Sequence, residues 1–307
     1  MNLPQEWQTR LSLPLVAAPM FLVSGPELVI APCQQGVIGT FPTPNARTVV
    51  ILDEWLDLIT STLTDRDAPW GANVVVHRSN ARLHEDIALL ERYKPPLVIT
   101  ALGAPNAIVE RVHAWGGRVF ADVNSVGFAK KAVAAGVDGL VLVAAGAGGH
   151  TGQMAGFSFV PAVREFFEGP IILGGGITNG AGIRAAEVLG AELAYMGTRF
   201  IPCLESLASE AYREMLVGAT IDDLILTRAI TGVAANWLRP SIANAGFDLK
   251  EMDANPEIDF TDPQGGAKRW ATVWSAGHGV GAIDRVESAA ELIARLKAEY
   301  KTARALP

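Results

Sequence analysis

The stretch Gly146-Ala147-Gly148-Gly149-His150-Thr151-Gly152 sets one imidazole among four glycines. An apolar run, Leu140-Val141-Leu142-Val143-Ala144-Ala145, leads straight into it. A neutral imidazole can accept a proton or donate a hydrogen bond near neutral pH, because its ordinary pKa is about 6.5. Glycines on either side let the backbone come close to a ligand. An isolated histidine more often only hydrogen-bonds a loop. At a strand end and among glycines, His150 reads as the catalytic candidate.

Two further glycine clusters close the next two apolar runs. They are Gly174-Gly175-Gly176-Ile177-Thr178-Asn179-Gly180 and Gly197-Thr198-Arg199-Phe200. Unsubstituted backbones present N–H donors, and a helix N-terminus favours an anion. Either cluster alone would be turn chemistry. Together, at consecutive strand ends, they suit a phosphate, which barrel enzymes often hold after strands 7 and 8. Neither follows the first strand as a GxGxxG fingerprint does, so a mononucleotide fits better than a Rossmann-bound dinucleotide. His, Asp, Glu and Cys show no metal-ligand spacing, and no metal is expected.

These ends require strands to present them. Apolar runs at 13–20, 36–41, 70–76, 96–102, 118–123, 139–145, 170–175 and 192–198 read as strands. Helix-like segments at 52–63, 84–93, 107–115, 128–135 and 183–189 lie between them. Such alternation predicts a parallel sheet covered by helices, and continuous apolar runs predict burial of both sheet faces. Eight units favour an α/β fold of the (β/α)8 TIM-barrel type over an open, doubly wound sheet. Beyond Phe200, residues 206–217 read as helix, 231–265 as irregular, 270–283 as a Gly-rich turn and 287–304 as an amphipathic helix. The expected division is a barrel over 1–205, a small inserted subdomain or lid after strand 8 over 206–283, and a closing helix over 284–307.

Composition bounds the partners. Half of the 307 residues are hydrophobic and 19% are charged, so a large core is available. A net charge of −7 argues against nucleic acid, since phosphate attraction needs a basic surface. No apolar run reaches the roughly 18–20 residues that span a bilayer, and MNLPQEWQTR lacks the pattern of a secretion signal. Cys33 and Cys203 form no CxxC pattern. A cytoplasmic protein with no membrane partner is expected. His77, His84 and His113 read as surface or structural groups, and Cys203 as a small buried side chain. Trp70, Trp115, Trp237, Trp270 and Trp274 read mostly as core or packing residues, of which Trp237, Trp270 and Trp274 could wall the pocket, whereas Arg199 would meet phosphate or pair with Glu205.

The motifs, taken in order, resemble one family. Leu15-Val16-Ala17-Ala18-Pro19-Met20, Gly71-Ala72-Asn73, the AGGHTG around His150, GGGI at Gly174 and GTRF at Gly197 are similar to the nitronate monooxygenase (2-nitropropane dioxygenase) family. Trp274-Ser275-Ala276-Gly277-His278-Gly279 resembles that family's late AGQG segment. The resemblance implies a TIM barrel that binds FMN and oxidatively denitrifies alkyl nitronates with molecular oxygen. It implies that Ala18, Pro19 and Met20 line the flavin ring and that Asn73 hydrogen-bonds it. Gly174, Gly175, Gly176, Gly197 and Thr198 would hold the phosphate, with Gly149 and Asp122 among the cofactor contacts. His150 would face a small substrate, with His278 and Ser275 nearby, and the protein could pair as a homodimer. Asp122 departs from the basic or amide residue common in relatives, and His278 stands where Gln is usual. Two other functions stay open at this point: an NAD(P)H-dependent FMN reductase of quinones or enoyl thioesters, and a non-catalytic flavin- or ligand-binding barrel.

Overall fold

Eight of the apolar runs pair side by side, all parallel, and close on themselves. The computed structural model describes residues 2–248 and 273–306. The strands are β1 (Leu15–Ala17), β2 (Ile38–Pro42), β3 (Trp70–Val75), β4 (Leu97–Ala101), β5 (Arg118–Val123), β6 (Gly139–Val143), β7 (Gly149–His150), β8 (Ile171–Gly174) and β9 (Leu193–Met196). All but β7 belong to the barrel, which closes where Ala17 of β1 lies opposite Met196 of β9. A TIM barrel is therefore the fold.

Strand alternation sorts the residues into two layers. Val119, Ala121 and Val123 of β5 belong to the large core between barrel and helices. Phe120 belongs to a separate inner cluster with Val16, Ile38, Ile99, Val141, Ile172 and Leu193. Leu3 and Trp7 join that inner cluster from the N-terminal segment, with the Trp7 and Phe120 rings 6.3 Å apart. The N-terminal end of the barrel is thereby plugged, which leaves the opposite mouth for chemistry.

The covering helices are α1 (Gln5–Gln8), α2 (Pro26–Gln34), α3 (Val49–Thr62), α4 (Leu83–Tyr93), α5 (Asn106–Ala114), α6 (Val126–Ala134), α7 (Gly156–Arg164) and α8 (Gly180–Leu189). Side-chain caps start several of them: Thr48 for α3, Ser125 for α6 and Asn179 for α8 each accept from a backbone N–H in the first turn. Helices α2 and α7 were not legible in the sequence. Each carries an internal proline, Pro32 and Pro161, which ordinarily argues against a helix.

Past β9 come α9 (Glu210–Gly218), β10 (Leu224–Thr227), β11 (Ala235–Leu238), α10 (Arg239–Asn244) and the closing α11 (Ala289–Arg304). The last is started by a capping box of Ser288 and Glu291 and lies along α8, where Gly180 N–H donates to Glu299 at 2.9 Å. Strands β10, β11 and β7 form a separate antiparallel sheet. Trp237 is fully buried in a small core with Ile230, Ala235, Ile242 and Val273, so it packs as a core residue of this sheet's own layer. Trp274 stacks on Tyr212 at 4.9 Å. Trp270 and the part of the expected lid at 249–272 lie outside the described residues. No helix among the described residues is long and apolar enough to cross a membrane.

Candidate active site

The mouth is built from strand ends that the barrel gathers. Ala18 N–H donates to Met196 O at 3.0 Å, tying the turn after β1 to the end of β9. Asn45 holds that turn from behind: its amide donates to Met20 O (2.9 Å) and Ser24 O (2.8 Å), and its oxygen accepts from Leu22 N–H (2.8 Å). Sequence reading passed over Asn45, because nothing in its neighbourhood marks a polar side chain as buried. Across the turn, a side chain on Gly197 would meet the Met20 sulfur at 3.3 Å and the Ala18 methyl at 3.6 Å. Ala18, Met20, Gly197 and Thr198 therefore share one corner.

The glycine clusters converge on the same corner. Gly277 N–H donates to Thr198 Oγ1 at 2.9 Å, and His278 N–H donates to Gly146 O at 2.9 Å. The late segment thus lies directly on the loop before His150. A Cβ on Gly148 would fall 2.7 Å from Gly277 N and 3.2 Å from Thr198 Oγ1, so only glycine permits this approach. Gly175 has a φ of +127°, and a Cβ there would stand 2.7 Å from Ala145 O. Among the described residues, no protein acceptor takes the backbone N–H of Gly176 or Thr198. Gly175→Ala should cost more than about 1 kcal/mol, read as a lower Tm. It should also leave the purified protein largely free of any phosphate-bearing ligand that the wild type retains.

Arg199, 5% exposed, forms no ion pair with Glu205 among the described residues. It donates to the carbonyl of Ala282 and seats the late segment. Glu205 instead accepts from Ala289 N–H at the start of α11, at 3.0 Å. Cys203 is buried as expected.

His150 is held differently from the loop residue that sequence suggested. It is the second residue of β7, opposite Ala235 of β11, with Gly149 opposite Asn236. A two-residue strand has no sequence signature, and its partner lies far along the chain. Burial holds the imidazole below its ordinary pKa of 6.5, so it is neutral at physiological pH. Thr151 Oγ1 donates to Ala144 O at 3.1 Å, anchoring the far side of the loop. Asn236 is another residue that sequence reading missed; its amide donates to Ala147 O at 2.7 Å from a site 3% exposed. Asn236→Ala should remove the hydrogen bond to that half-buried carbonyl and cost about 1 kcal/mol, measurable by urea denaturation.

Beneath these loops a polar layer crosses the barrel. Thr40, Asn73, Asp122 and Tyr195 stand two residues beyond inward positions on β2, β3, β5 and β9. Asn73 donates to Ile99 O at 3.2 Å and lies 3.4 Å from Asp122 Oδ2. Asp122 Oδ1 and Tyr195 Oη are sealed from solvent and have no hydrogen-bond partner among the described residues. Burial pushes the Asp122 carboxyl up to about 7. Burial, and then repulsion from Asp122, hold the Tyr195 phenol well above its usual range. Tyr195 was not singled out in the sequence, though its period-two spacing from Leu193 places it on the inner face. His278 is exposed at the rim, and Ser275 pairs with Trp237 in an isolated antiparallel bridge.

Comparison with known proteins decides the family. Residues 77–299 match the model of the nitronate monooxygenase family. The chain belongs to that family. Its members are flavin-dependent oxidoreductases, and the chain is an enzyme of this class. A relative in Paraburkholderia phytofirmans named nitronate monooxygenase is 27% identical over 94% of this chain and 92% of its own. A Rhodococcus jostii relative, named as a hydroxy-methyl-oxo-octahydroindene-carboxyl-CoA dehydrogenase, is also 27% identical, over 76% of this chain and 64% of its own. Among solved structures, FabK from Thermotoga maritima superposes with a TM-score of 0.81 at 25% identity, covering 97% of this chain and 95% of that one. The fold of a nitroalkane oxidase from Streptomyces ansochromogenes matches equally well, with a TM-score of 0.81 at 23% identity over 98% of this chain and 99% of that one. Proteins similar to this chain thus share its barrel or its sequence while carrying different names.

Proposed function

We propose that this chain binds FMN across the C-terminal mouth of the barrel and uses it to oxidise small alkyl nitronates. The observation that carries the reading is the convergence of Gly148, Gly175, Gly176, Gly197, Thr198 and Gly277 on one corner, with the N–H groups of Gly176 and Thr198 unclaimed by protein acceptors. That donor set fits a phosphate. Gly174, Gly175, Gly176, Gly197 and Thr198 would hold it, with Gly149 close by. Ala18, Pro19 and Met20 would lie along the ring, and Asn73 and Asp122 would meet its polar edge. The sealed, unpartnered oxygen of Asp122 suits a ligand that completes its hydrogen bonding.

When bound, FMN supplies an electron acceptor that can be re-oxidised by molecular oxygen. The protein's part is position and proton control. Neutral His150 donates a hydrogen bond to a nitronate oxygen, or accepts the α-proton if a neutral nitroalkane enters. Its backbone is fixed by the pairing of β7 with β11, so the sheet of β10 and β11 would act as the cap that positions it. His278 and Ser275 would touch substrate from the late segment.

A second reading is favoured by the FabK likeness and the relatives named dehydrogenases: a reductase fed by NAD(P)H. Anaerobic stopped-flow mixing separates the two. Rapid bleaching of the yellow protein by nitronates, with slow or no bleaching by NADH and NADPH, is expected. Rapid bleaching by a reduced nicotinamide would overturn the nitronate reading. Failure of every donor to bleach the flavin would overturn both.

A further inference from the structure

We propose that Asp122 is a proton-exchanging group of the barrel mouth, a carboxylate that takes one proton from solvent when negative charge arrives on the ring bound there. The inference rests on the flavin reading above. It starts from two buried oxygens that the fold leaves without partners, Asp122 Oδ1 and Tyr195 Oη. Both stand in the polar layer at the C-terminal end of the barrel, directly after the apolar plug of Phe120 and Leu193. Buried polar groups are almost always hydrogen-bonded, and exceptions concentrate at functional sites. Tyr195 also packs its ring against Gly174, where a side chain would meet its Cδ1 at 3.1 Å, so the layer adjoins the phosphate corner.

The surroundings of Asp122 supply no counter-charge. Asn73 faces it from β3, and Tyr195 faces it from β9. Neither is a cation, and burial is the one influence that moves its carboxyl, to about 7. No ion pair with Asp122 is present among the described residues. A nearby negative charge disfavours a second one, so electrons added to the ring raise this value further. Above about pH 7 the reaction at Asp122 is then addition of one solvent proton to the carboxylate, forming an O–H bond and breaking none in the protein. The electron pair comes from the reductant, for which dithionite serves in the test. An aspartate here supplies a negative charge that is withdrawn on demand.

The test is the midpoint potential of the bound flavin as a function of pH, measured with dithionite and redox mediators. Each extra proton taken up per electron pair adds about 30 mV per pH unit to the slope. Above about pH 7 the wild-type line should be steeper than that of Asp122→Asn by this amount, and the two slopes should agree below it. Tyr195→Phe keeps the carboxyl and should keep the steep limb. Equal slopes for wild type and Asp122→Asn, with flavin bound in both, would overturn the inference and leave the flavin reading standing. A wild type that binds no flavin would overturn both. If Asp122→Asn does not fold, the wild type alone must show the change of slope near pH 7, and a straight line refutes the idea.

Discussion

Replacing His150 by alanine should lower turnover of nitronates or nitroalkanes by about 10²–10⁴-fold, the usual contribution of a positioned acid–base group. Flavin content should be unchanged, because the glycine corner proposed to hold the phosphate is built from other strand ends. The size of the effect follows from how the imidazole is held. Its backbone is fixed by β11, and burial lowers its pKa from 6.5. A lowered pKa also sets the sign of the pH dependence. The active neutral form predominates at and above pH 7, so turnover should change little there with respect to this group. It should fall only as the medium drops below the ordinary histidine range. The alanine variant should lack that acidic limb. Steady-state rates across pH check both points, and a loss smaller than tenfold would remove His150 from the chemistry.

Asp122→Asn should make the protein more resistant to unfolding at neutral and alkaline pH. The carboxyl titrates at 3.8 in the ordinary state and at about 7 in the fold. Between those values the folded chain still holds the proton that the unfolded chain has released. Stability of the wild type therefore falls as pH rises across the window and levels off above about 7. The asparagine variant has no such proton. The difference in unfolding free energy between the two should widen by up to about 4 kcal/mol from pH 4 to pH 7, at ~1.4 kcal/mol per pH unit. Urea denaturation at several pH values measures it, and a difference independent of pH would show that Asp122 ionises normally. This would be a destabilising residue kept at the mouth of an enzyme, as expected where function and stability compete.

The barrel was legible because its strands are mostly continuous apolar runs separated by helix-like segments. All eight were anticipated, with β5 at its observed bounds of Arg118–Val123. The meeting of the glycine segments was legible too, since positive φ and close backbone approach leave a glycine signature that survives in sequence. What stayed hidden depends on distant partners. The strand that carries His150 is two residues long and exists only through β11, some 85 positions on. Asn45 and Asn236 act through carbonyls that no local pattern names. Tyr195 reads as one more apolar strand residue until the barrel closes around its hydroxyl.

The three-stranded sheet has a further consequence for how this enzyme behaves as it warms. His150 is covalently part of the barrel, but its hydrogen-bonded neighbour belongs to a layer with its own small core of Ile230, Trp237, Ile242 and Val273. Whatever opens that layer releases the histidine. Exchange of the amides of β7 with solvent should follow the opening of β10 and β11 and not that of the barrel strands. Heat would then silence the enzyme before it unfolds it, and the loss would reverse on cooling while the barrel remained closed.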